Sequence, residues 1–115
     1  RRVRMAEENC LARAVYFEAR SESALGQMAV AKVILNRVKS PSYPNTICGV
    51  VYQGSQRRNS CQFSFACDGQ ADDVKQAAAW AQAKHIAKRA INAAIARARG
   101  EDVSIPASSS TFGMV

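Results

Sequence analysis

The sequence predicts a single α+β domain that is mainly helical, and three observations carry that expectation. Two segments near the start and a long one near the end repeat apolar residues with the helical period of about 3.6. Between them, Thr46 to Cys67 is rich in β-branched and aromatic residues, which suits a small β or irregular lobe. At 115 residues, with 48% hydrophobic and 22% charged residues, the chain has the size and composition of one ordinary globular unit.

The first helix is expected after the basic Arg1-Arg2-Val3-Arg4 end, with Glu7 and Glu8 near its positive pole, and to reach about Arg20. Ser21-Glu22-Ser23 is a polar break that can cap the next element. Ala24 to Lys39 is apolar on most sides, with Lys32, Asn36 and Lys39 as a narrow polar edge, so it reads as a central, mostly buried helix. Pro41 and Pro44 stop it. Phe63 and Phe65 would share one face of a strand over Cys61 to Cys67, with Gln62, Ser64 and Ala66 on the other. Asp68-Gly69 then signals a turn. Asp73-Val-Lys-Gln76 resembles a capping box, so a helix from there to about Arg99, ended by Gly100, is expected. Its buried stripe is Trp80, Ala83, Ala87, Ile91, Ala94 and Ile95. Residues 1–9 and 104–115 are expected as flexible ends of the domain 1–115.

Sixteen Lys and Arg against nine Asp and Glu give a net charge of +7, which favours polyanionic surroundings: nucleic acid, an anionic lipid surface or the acidic polymers of a bacterial wall. No apolar run approaches the roughly 20 residues needed to cross a bilayer. Four cysteines, Cys10, Cys48, Cys61 and Cys67, suit two disulfides and an oxidising, extracytoplasmic setting. None forms a C-x-x-C pair. Four cysteines allow three pairings; Cys61 with Cys67 as a local clamp and Cys10 with Cys48 is the favoured one. The chain begins at Arg1 without an apolar signal segment, so an export signal is expected to lie outside this sequence.

One acid stands out. Leu11, Ala14, Val15 and Glu18 fall at i, i+3, i+4 and i+7, which puts Glu18 on the stripe that should face the core. A desolvated carboxyl has a raised pKa and can donate a proton near neutrality. On spacing alone the ordinary alternative is an edge position, or neutralisation by Arg20 or Arg37. Glu22 reads first as a helix-start acid, Asp68 first as a turn residue. Ser64 lacks the frame of a hydrolase nucleophile. His85, among Lys84, Lys88 and Arg89, reads as a solvated surface residue. With one histidine and no Cys/His cluster, neither a metal nor another cofactor is expected. The basic face of the last helix also resembles that of a nucleic-acid binder, but no aromatics are interleaved with its cations; no nucleic-acid partner is expected.

The order of four short words adds more than any of them alone. Cys10-Leu-Ala-Arg-Ala-Val-Tyr-Phe-Glu-Ala-Arg-Ser-Glu22, Gly26-Gln-Met-Ala-Val-Ala-Lys-Val-Ile-Leu-Asn-Arg-Val38, Tyr43-Pro-Asn-Thr-Ile-Cys-Gly-Val-Val-Tyr-Gln53 and Cys61-Gln-Phe-Ser-Phe-Ala-Cys-Asp-Gly69 closely resemble, in sequence order, the SleB/CwlJ-type cell wall hydrolases, the spore cortex-lytic enzyme family. The resemblance implies a two-lobed fold, lysozyme-like and lytic-transglycosylase-like, with a helical lobe carrying a catalytic glutamate and a small β lobe forming the other wall of a glycan cleft. It places the catalytic acid at Glu18 and the glycan-facing residues at Gln62, Ser64, Asp68 and Gly69; Glu22, an acid near the motifs, is a further substrate-binding candidate. It implies an extracytoplasmic peptidoglycan-cleaving enzyme; the sequence leaves the oligomeric state open, with a monomer favoured. A lytic transglycosylase needs one carboxyl, a hydrolase of the common kind two. Amidase activity and a non-catalytic wall-binding module are the alternatives. Ser21 stands where the family usually has glycine. The family pattern also continues with a His- and aromatic-containing segment that does not occur before Val115.

Overall fold

In the computed structural model, residues 2–54, 63, 65 and 75–100 are described, with side chains from residue 4 onward. Four helices occupy them: α1 (Arg2–Ala19), α2 (Ala24–Lys39), α3 (Ile47–Val51) and α4 (Ala77–Ala98). There is no strand among the described residues. The mainly helical part of the expectation therefore holds, while the segment read as a β lobe opens with a helix at Ile47. Phe63 and Phe65 are both buried, as their alternation predicts, but Phe63 lies in a bend and Phe65 in a helical turn. Gln62, Ser64 and Ala66, and the possible pairing of Cys61 with Cys67, lie outside the described residues.

α1 is the central element. Leu11, Ala12, Ala14, Val15, Tyr16 and Ala19 are buried on it, and it packs against α2, α3 and α4. Residues 2–9, expected as a flexible end, are its first turns. Glu7 therefore lies beyond the helix's first turn, and its carboxylate does something the dipole reading missed. It accepts hydrogen bonds from the backbone N–H groups of Ile47 and Cys48, at the start of α3.

α3 is helical despite its β-branched sequence because its ends and its apolar face agree. Thr46 caps it, its hydroxyl accepting from Gly49 N at 2.9 Å. Ile47, Val50 and Val51 bury one face at i, i+3 and i+4. At Gly49 a Cβ would stand 2.7 Å from Thr46 Oγ1 and 2.8 Å from Pro44 Cβ, so only glycine fits. A disulfide joins Cys48 to Cys10 of α1, as the favoured pairing expected. Closing the 38-residue separation constrains the unfolded chain by about 4 kcal/mol in the chain-entropy account.

α2 starts where the polar break predicts, with Ser23 as its cap, and ends at Lys39 before the prolines. It is less buried than expected. Gln27, Met28, Ala31 and Ile34 face inward, but Leu25 and Val33 are each 46% exposed. α1 holds the central place that the apolar composition of α2 suggested for α2 itself.

α4 begins at Ala77, not at the expected capping box, and Gln76 makes no side-chain cap bond. The hydroxyl of Tyr16 serves the start of α4: it accepts from Lys75 N at 3.1 Å and Gln76 N at 3.0 Å. Ala83, Ile86, Ala87, Ala90 and Ile91 form the buried stripe. Gly100, at a φ of 73°, terminates the helix as predicted.

Contacts at both ends fix the helix directions. Arg4 donates to Asn92 while Tyr16 meets residues 75 and 76, so α1 and α4 run antiparallel. α2 returns along α1 from the short 20–23 link toward Cys48, which makes α2 and α4 run in the same sense. Replacing Tyr16 by Phe keeps the ring and removes the acceptor for two N–H groups. Urea unfolding of Tyr16→Phe is expected to show a loss of about 1–2 kcal/mol; unchanged stability would show that water replaces the hydroxyl at no cost.

Candidate active site

The acid singled out in the sequence lies at the rim of the core rather than inside it. The stripe Leu11, Ala14, Val15 is fully buried, and Glu18, one turn further, is exposed near the C-terminal end of α1. The helical spacing is as read. What differs is the depth: α1 ends one residue later.

Glu18 is nonetheless not an ordinary surface acid. Partial desolvation pushes its pKa above the ordinary carboxylate value of 4.5. Neither arginine proposed to neutralise it does so: the Arg20 guanidinium lies over the Tyr16 ring at 5.1 Å, and that of Arg37 lies over the rings of Tyr43 and Phe63 at 5.2 and 5.9 Å. Among the described residues Glu18 is in no ion pair.

Aromatic rings build the surroundings of this end of α1. Phe17, the preceding residue, stacks on Phe65 with centroids 5.0 Å apart and planes at 20°. Tyr52, just after α3, meets Phe65 edge-on at 5.9 Å, and Tyr16 meets Phe17 edge-on at 4.8 Å. Phe65 thus lies against the residue next to Glu18. Gln62, Ser64, Asp68 and Gly69 themselves lie outside the described residues.

Glu22 is exposed in the link to α2, its backbone N–H bonded to the carbonyl of Ala19 at 2.9 Å. The Gln27 side chain donates to the Glu22 carbonyl at 3.2 Å, and Gln27 is itself buried. The amide oxygens of Gln27 and Gln53 are buried with no hydrogen-bond partner among the described residues. The sequence reading passed over Tyr16, Phe17, Gln27 and Tyr52. All four occur in the quoted family words, but their spacing alone marks them only as ordinary helix-face and turn residues. His85 is exposed, as read.

A family model described as cell wall hydrolase matches residues 21–103. The chain belongs to the cell wall hydrolase family. Among curated relatives, the spore cortex-lytic enzyme of Bacillus cereus is 50% identical over 60 residues, which is 52% of this chain and 21% of that protein. Those of Bacillus subtilis and Halalkalibacterium halodurans are 47% and 45% identical over stretches of the same length, 18% and 16% of their own lengths. The chain thus spans about a fifth of the curated relatives it matches. No solved structure matches it. The family match begins three residues after Glu18 and includes α2, α3 and α4.

The raised pKa of Glu18 has a consequence for stability. Its folded-state pKa lies above the unfolded one, so folding favours the protonated form and ionisation weakens the fold. That penalty is absent below the unfolded value and grows as pH rises through the folded one. Thermal melts of Glu18→Gln are expected to match or exceed the wild type at neutral pH, with the difference vanishing well below the ordinary carboxylate value. A variant less stable at neutral pH would contradict this.

Proposed function

We propose that this chain is a peptidoglycan-cleaving domain acting outside the cytoplasm, and that Glu18 is its general acid. The observation that carries the reading is a partly desolvated carboxyl, in no ion pair among the described residues, at the end of a helix, beside a cluster of aromatic rings, in a member of the cell wall hydrolase family. A carboxyl with a raised pKa retains its proton closer to neutrality, and exposure at the rim leaves it reachable by a polymer. The cysteines and the names of the relatives support the extracytoplasmic setting.

The chemistry proposed is lytic transglycosylation. The Glu18 carboxylic acid donates its proton to the oxygen bridging MurNAc C1 and GlcNAc, and the C1–O bond breaks with an oxocarbenium-like C1 left behind. The resulting Glu18 carboxylate takes the proton from the MurNAc 6-hydroxyl as that oxygen bonds to C1, closing a 1,6-anhydro ring. Glu18 ends protonated, ready for the next bond, and no water is consumed. One carboxyl acting as acid and then base suits a site whose nearest second acid in sequence, Glu22, sits exposed in a link. Half-buried Phe17 and Tyr52 offer apolar faces of the kind on which sugar rings rest.

Digestion of purified peptidoglycan with the wild type and Glu18→Gln, read by mass spectrometry of the released muropeptides, tests this reading. Anhydro-muramyl ends are expected from the wild type, with the rate falling at least about 100-fold in the variant, the scale of a lost general acid. Reducing ends would replace transglycosylation by hydrolysis with a second carboxylate. Free stem peptides would indicate an amidase, and binding without products a wall-binding module.

A further inference from the structure

On the outer side of the molecule, between α2 and α4, lies a pocket of about 120 Å³ that Glu18 does not line. Its α2 wall carries Lys32 and Lys39 and its α4 wall Arg89 and Arg97, with Met28, Leu35 and alanines as the floor. None of the described residues lining it is acidic. The concentration of charge is not explained by helix ends alone. Lys39 and Arg97 lie in the last turns, where cations complement the dipole, but Lys32 and Arg89 are two turns further back, beyond that effect's reach. The pKa of Lys32 is lowered, first by burial and then by the positive charge of Arg97, so cations from the two walls repel each other across the pocket.

A second, mostly apolar hollow of about 400 Å³ adjoins this pocket through Leu35 and Ala94 and continues past Ile91 and Ile95 to Ile47; Glu7 also lines it, with its carboxylate held by the α3 amides. The groove between the two helices is thus cationic at one part and apolar along the next. Among the described residues no aromatic lines either part, so the stacking that single-stranded nucleic acid uses has no platform there.

We propose that this groove is a binding site for a short acidic peptide with small apolar side chains, its carboxylates held between the Lys32/Lys39 and Arg89/Arg97 walls and its methyl groups on the apolar floor. Resting on the reading of the chain as a wall-cleaving domain, the occupant is the stem peptide of peptidoglycan, which combines free carboxylates with alanine methyls. Arginine's planar fork suits carboxylate recognition. The groove would hold the wall polymer by its peptides while the glycan meets the other end of α1.

Isothermal titration calorimetry of the whole chain against the dipeptide L-alanyl-γ-D-glutamate and its longer alanine-terminated stem peptide tests the assignment. One-to-one binding is expected, at least tenfold weaker in Arg89→Gln/Arg97→Gln, and abolished when the peptide carboxylates are amidated. Circular dichroism of the double variant checks that the helices persist; a second variant, Lys39→Gln, gives the same direction from the opposite wall. Equal affinity in the variants, equal affinity for the amidated peptide, or tighter binding of inorganic phosphate, phosphatidylglycerol vesicles or duplex DNA would overturn it. Binding as expected by a chain that releases no muropeptides would sink the cleavage reading and leave the peptide site standing.

Discussion

A phenol buried in a helical core must find partners for its hydroxyl, and the way Tyr16 does so sets the geometry of this molecule. Only 2% of Tyr16 is exposed, yet its oxygen accepts from two backbone N–H groups at the start of α4. The ring is enclosed by Phe17, Trp80 and the Arg20 guanidinium. Two helices distant in sequence are thereby joined at one point, two residues from Glu18. The far end of α1 is held by different means: the Cys10–Cys48 disulfide, the Glu7 carboxylate on the α3 amides and the contact from Arg4 to Asn92. A helix secured at both ends can present a rim carboxyl in one orientation, which proton transfer to a polymer requires.

The charge distribution follows from the same frame. α2 and α4 run in the same sense, so their C-terminal ends lie side by side, and the cations that complement those ends gather in one groove. The acid at the rim belongs to the opposite end of α1. An excess of seven positive charges is therefore not spread evenly: part of it lines a concave, partly apolar surface, where a low-dielectric floor strengthens attraction to a carboxylate.

Much of this was legible in the residues. The periodicity of α1, α2 and α4, the stop at Pro41 and Pro44, the Ser23 cap and the Gly100 terminus all follow from local rules, and the structure has them. The failures share a cause. α3 falls in the segment read as a β or irregular lobe because Ile47, Val50 and Val51 are β-branched, but a distant carboxylate and a buried face override that preference. The start of α4 was sought in a local capping box, whereas the N–H groups of Lys75 and Gln76, just ahead of the helix, are satisfied by a tyrosine about 60 residues earlier. The Glu18 stripe had the right period and the wrong depth, since periodicity gives direction and not how far the covering helices extend. Long-range partners leave no mark in spacing.

Glu18 is held in partial desolvation, with no neutralising cation among the described residues. Carbon-13 NMR titration of the glutamate carboxyls, with Glu18 assigned through Glu18→Gln, measures this directly. A Glu18 midpoint clearly above the ordinary value of 4.5 is expected; a midpoint at or below that value would show a solvated or paired carboxylate instead.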